Sequence, residues 1–156
     1  MNNEILSKNS YYEGLIQNLY GGSSGMFVSF MKLFYQYNQI KMFSPEKAEI
    51  FEKIMRMELE NCTILGQILL KLGGDNKYYS SAKKFISGFN VDYSKTLSQI
   101  FLNDVESFEL HVIELKNLIS KIENLQIRDK LKVVLSNKKT SLTFLRENYF
   151  KNNVIN

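Results

Sequence analysis

Among 156 residues the chain has one cysteine, one proline, one histidine and no tryptophan. The lone Cys62 excludes an intramolecular disulfide and fits a reducing compartment, so a cytoplasmic protein is expected. "NCT" at 61–63 matches a glycosylation acceptor, a reading that would need a secreted chain and is set aside. The opening "MNNEILSKNS" has no basic segment followed by an apolar block, which excludes a secretion signal there. Nowhere do about 18 apolar residues run together, so no membrane span is expected. The formal charge of +4 is spread along the chain, with no block of five or six like charges to call for nucleic acid.

Present in quantity are apolar and aromatic side chains: 44% of residues are hydrophobic, with 11 phenylalanines and 9 tyrosines. That content excludes a disordered chain and is enough for one buried core, so the expectation is a single domain over residues 1–156. Glycine is scarce, with 8 in all, yet three fall within "GGSSG" at 21–25. A phosphate-cradling loop would need a preceding strand and a suitably placed lysine, and the pattern offers neither. The apolar stripe Leu15, Leu19, Gly22, Met26, Phe30, Leu33, Tyr37, Ile40 keeps its phase through this cluster. The stretch is therefore predicted to lie inside a long helix, about 10–40, with close backbone approach or a kink near Gly21–Gly25.

A second helix, about 44–72, is marked at both ends. Ser44 suits its cap, Pro45 its first turn and Glu46 its positive end, while Gly73 and Gly74 supply the stop. Its stripe runs Phe51, Ile54, Glu58, Asn61, Leu65, Ile68, Leu72. The short connection forces it antiparallel to the first. Two more stripes predict helices at about 95–122 (Leu97, Phe101, Val105, Phe108, Val112, Leu115, Ile119, Ile122) and 126–149 (Ile127, Leu131, Val134, Lys138, Ser141, Leu145). Residues 73–95 carry no such stripe and are long enough to cross the bundle from end to end. The expected fold is all-α: a four-helix bundle with a long crossover between the second and third helices, the ferritin-like arrangement.

The chain resembles the ferritin-like families, closest to bacterial rubrerythrins and manganese-catalase-like proteins. The likeness spans about residues 10–149 and is strongest in "IMRMELENCTILGQILLKLGGDNKYY" and "LYGGSSGMF". It implies two metal ions, iron or manganese, held by a glutamate from each of two helices and a Glu-x-x-His pair from each of the other two. Carried across, the first-helix glutamate falls on Met26, the second-helix pair on Glu58 and Asn61, the third-helix glutamate on Phe108, and the fourth-helix pair on Lys138 and Ser141. One ligand of six remains, and the resemblance therefore implies a degenerate site without metal.

The stripes lead to the same cluster. Glu58, Asn61, Lys138 and Ser141 interrupt two otherwise apolar stripes at matching spacing, and a bare carboxylate in the core would be very costly. A buried Glu58–Lys138 ion pair is expected, with Asn61 and Ser141 completing its hydrogen bonds and Met26 and Phe108 filling the remaining space. His111, one turn after Phe108, is expected at the edge of the core, and Cys62 as a small packing residue. The expected function is that of a non-catalytic bundle, structural or regulatory, acting on an unidentified protein partner or as a homo-oligomer subunit. The alternative is a peroxidase-, catalase- or ferroxidase-like oxidoreductase binding iron or manganese through Glu58, His111, Glu60 or Glu109. A third reading, a bundle that coats DNA, rests on the basic balance alone.

Overall fold

The structure, a computed structural model, describes residues 10–153. Residues 1–9, which hold most of the stretch read above for a secretion signal, lie outside the described residues. The fold is all-α, with helices α1 (Ser10–Gly21), α2 (Met26–Lys41), α3 (Pro45–Lys71), α4 (Leu97–Lys121) and α5 (Leu125–Asn153). A single 3-10 turn at Gly88–Asn90 interrupts the long segment between α3 and α4.

The first predicted helix is broken, not continuous: α1 ends at Gly21 and α2 begins at Met26. The break is built from the glycines. The Gly22 N–H still donates to Asn18 O at 3.0 Å, but the Gly25 N–H turns back to Gly22 O at 2.9 Å. A Cβ on Gly22 would sit 2.4 Å from Asn18 O. One on Gly21 would lie 2.9 Å from both the N and O of Tyr79. The cluster thus lets the crossover backbone press directly onto the end of α1. Both α1 and α2 still pack on α3, which is why the apolar phase survives the break.

α3 starts at Pro45 as expected, although the Ser44 side chain makes no capping hydrogen bond. Its end is a two-glycine stop: Gly73 takes φ 73°, its N–H donates to Leu70 O at 3.1 Å, and the Gly74 N–H donates to Leu69 O at 2.9 Å. That pattern satisfies the last carbonyls of the helix.

Side-chain contacts fix the directions. Lys32 meets Asp104 while Ser24 meets His111, so α2 and α4 run antiparallel. Met57 meets Ser141 while Asn61 meets Asn137, so α3 and α5 do too. With α2 and α3 joined by a tight turn, α3 and α4 must be parallel, and residues 72–96 return the chain along the bundle. Gln17 holds that return segment, its Nε2 donating to Lys77 O at 3.0 Å and Tyr79 O at 2.7 Å. Tyr78 stacks on Phe27 at 4.0 Å, and Tyr93 meets the edge of Tyr35 at 4.9 Å.

The core forms two apolar clusters along the bundle. One gathers around Leu19, Met26, Leu65, Leu115 and Leu131; the other around Leu33, Phe51, Phe101, Phe108 and Leu145. Buried polar residues, Glu58 and Asp104 among them, share the interior with these clusters.

Candidate functional site

Glu58, Asn61, Lys138 and Ser141 are all buried, because each occupies a stripe position facing the opposite helix. The Lys138 Nζ donates to Glu58 Oε1 at 2.5 Å, with 0% of the lysine side chain and 1% of the glutamate side chain exposed. The other carboxylate oxygen, Oε2, accepts from Asn61 Nδ2 at 3.0 Å. Asn61 Oδ1 in turn accepts from Asn137 Nδ2 at 2.9 Å, and that same nitrogen reaches Glu60 Oε2 at 3.1 Å. The chain of contacts therefore runs Lys138, Glu58, Asn61, Asn137, Glu60, from the core out to the surface.

Lys138 also stands over the Phe108 ring, 3.7 Å from its centroid. The aromatic face thereby partly replaces the hydration the ammonium lost on burial. Burial pushes the Lys138 amine below the usual lysine range, and the neighbouring Glu58 carboxylate opposes that fall. Met26 and Phe108 are fully buried, each within one of the two apolar clusters.

Ser141 departs from expectation. Its hydroxyl faces the Met57 sulfur at 3.8 Å and makes no hydrogen bond to the ion pair. The reason is geometric. Asn61 lies one turn from Glu58 on the same helix and reaches the free oxygen first, and the next amide in line comes from Asn137 on α5.

His111 is buried and not at the core's edge: 3% of it is exposed and its Nε2 lies 2.7 Å from Ser24 O. A carbonyl only accepts, so Nε2 carries the proton and Nδ1 is left as a bare acceptor without a partner. Burial, reinforced by the Lys138 charge, pushes the ring down to about 3, so it is neutral at pH 7. It anchors the 22–25 turn to α4. Cys62 is free and buried, and burial followed by the Glu58 charge pushes its thiol up, which leaves it inert as a nucleophile.

A second buried pair lies outside the sequence-based expectation. Lys32 Nζ meets Asp104 Oδ1 at 2.7 Å, joining α2 to α4, and Gln36 Nε2 donates to the same oxygen at 3.2 Å. Burial pushes the Asp104 carboxyl up, and the Lys32 charge opposes this. Asp104 Oδ2, Gln36 Oε1 and Ser29 Oγ have no partner. A cavity of about 140 Å³ beside them is lined by Ser29, Lys32, Asp92 and Ser107. The sequence signals part of it: Met26, Ser29, Leu33, Gln36, Ile40 and Phe101, Asp104, Phe108, His111, Leu115 are both regular three-four stripes, which place Gln36 and Asp104 inside but not Lys32.

These residues do not fit a pair of metal ions. Only Glu58 among the six positions carries a carboxylate, and a lysine ammonium occupies its oxygen. His111 brings a single ring nitrogen, Nδ1, as a free acceptor, because its Nε2 is turned to Ser24. Glu60 is tied to Asn137 and Glu109 to Arg146, both at exposed positions. Among the described residues no group of three or more His, Cys, Asp or Glu side chains is placed to hold a metal. No helix in that range is long and apolar enough to cross a membrane. No protein-family model matches the chain, and a search of curated proteins returns no match.

Proposed function

We propose that the chain is a non-catalytic, ferritin-like bundle related to rubrerythrin, whose buried lysine stands where a metal pair would otherwise balance the glutamate. It acts through its surface, as a structural or regulatory partner of another protein or as a subunit of a homo-oligomer. The observation that carries this reading is the 2.5 Å contact between Lys138 and Glu58, deep between α3 and α5. An ammonium there satisfies the carboxylate and repels any cation approaching it.

The test is metal analysis of protein grown and purified with iron and manganese and without chelators. Well under one equivalent per chain is expected. About two tightly held equivalents, the complement of a working bundle of this kind, would overturn the proposal in favour of a metal-dependent oxidoreductase. Size-exclusion chromatography with light scattering then separates a homo-oligomer from a chain that awaits another partner.

A further inference from the structure

Two side-chain hydrogen bonds tie the α1 side of the molecule to α4. Tyr12 Oη donates to Lys121 O at 2.5 Å near the start of α1, and His111 Nε2 donates to Ser24 O at 2.7 Å just past its end. The ties stand roughly 15 Å apart along α4, from its rise of about 1.5 Å per residue. Between them α1 and α4 flank a slot of about 270 Å³. Each helix lines it with a set at three-four spacing: Leu15, Asn18 and Leu19 from α1, Glu114, Asn117 and Leu118 from α4. Leu19 and Leu118 are buried and Leu15 is half-buried, so the floor is apolar. A closed apolar cavity of about 150 Å³ holds a benzene ring. The slot therefore has room for a ring carrying a short polar arm.

We infer that this slot binds a small organic amine, its apolar body resting on Leu15, Leu19 and Leu118 and its ammonium paired with Glu114. Glu114 makes no hydrogen bond or ion pair among the described residues, whereas Glu58, Asp104 and Glu109 each hold a cation. Desolvation beside the slot pushes its carboxyl above the ordinary range, and no donor offsets that cost. An ammonium supplies what is missing, a charge of opposite sign together with hydrogen-bond donors. Ser24 adds a hydroxyl-bearing side chain at the same end, because His111, one turn before Glu114, holds its carbonyl. The other charge lining the slot, Lys121, lies two turns further along α4, about 10 Å away at the far tie, and forms no ion pair with Glu114. The slot shares no residue with the Glu58–Lys138 cluster, so the inference stands whether or not the bundle ever held metal.

The full chain is titrated calorimetrically with three probes of similar shape: phenethylamine, phenethyl alcohol and phenylpropanoate. Saturable binding of phenethylamine, one per chain, is expected, with the alcohol and the carboxylate weaker by about threefold or more, the advantage of a single ion pair at the surface. Glu114 and Asn117 both occupy exposed helical positions, so their substitution leaves the core untouched. Glu114→Gln should bring the amine down to the affinity of the alcohol and leave the alcohol unchanged. Asn117→Phe puts a ring into the slot and should abolish binding of every probe while Tm holds; if that variant melts early, Glu114→Gln decides alone. Absence of saturable phenethylamine binding overturns the inference. So does a carboxylate that binds as well as the amine, or an amine whose affinity survives Glu114→Gln. Metal content bears on none of these outcomes, which keeps this test separate from that of the proposed function.

Discussion

Replacing Lys32 with methionine keeps most of the side-chain length and deletes the charge. The Asp104 carboxylate, 0% exposed, is then left with Gln36 Nε2 as its hydrogen-bond donor. Removing one partner of a buried pair costs about 3–5 kcal/mol. For a chain of this size each kcal/mol moves Tm by about 2–4 °C, so a fall of roughly 6–20 °C is expected. The sign of the pH dependence follows from Asp104. Its pKa is raised on folding by burial, and without Lys32 it rises further. A raised carboxyl contributes stability that is present below its unfolded pKa, near 3.9, and lost as pH climbs through the folded value. The deficit of Lys32→Met should therefore be small in acid and grow toward neutral pH. Urea unfolding across pH reads this as a midpoint that separates from the parent's while the slope stays constant. Lys32→Met with Asp104→Leu should recover part of the loss, because the one group it newly strips of a partner is Gln36 Nε2, at about 1–3 kcal/mol. A single variant as stable as the parent at every pH would refute the idea that Asp104 is held by Lys32 in a dry interior.

His111 should govern stability in mild acid. Its folded pKa of about 3 lies below the ordinary 6.5, so the unfolded chain binds the extra proton first. Stability should fall by about 1.4 kcal/mol per pH unit below that ordinary value, and His111→Phe should flatten the profile measured by urea midpoints. Gly21→Ala places a methyl 2.9 Å from the Tyr79 backbone. It should cost about 1–3 kcal/mol and speed proteolysis within residues 77–86, a change visible by peptide mapping. Cys62 should react with thiol reagents only as fast as the bundle opens, and a burst of labelling in native buffer would contradict its burial.

Most of the architecture could be read from apolar spacing alone, because long amphipathic helices repeat the same signal over many turns. The Glu58–Lys138 cluster was legible for the same reason: polar residues on an otherwise apolar stripe have few places to go. Two features were harder. The break at residues 22–25 is masked because α1 and α2 both pack on α3, so the stripe continues in phase across a non-helical turn. Asp104 is hidden beside Val105, which fits a stripe equally well and is only half-buried. The helix period treats the two positions alike, and hydrophobicity alone favours the valine. Ser141 shows a third limit: spacing places a hydroxyl on a face but does not say which neighbour reaches the acceptor first.

The tight turns of the chain join α2 to α3 and α4 to α5, giving two helical hairpins. The buried ion pairs join the other two seams, Lys32 of α2 with Asp104 of α4, and Glu58 of α3 with Lys138 of α5. Sliding one hairpin against the other by a single helical turn, about 5.4 Å, would strand four charges in hydrocarbon at once. Oily surfaces alone would tolerate that slip far better. The halves of the molecule consequently have one registration in which they can close, and the two pairs act as its locating pins.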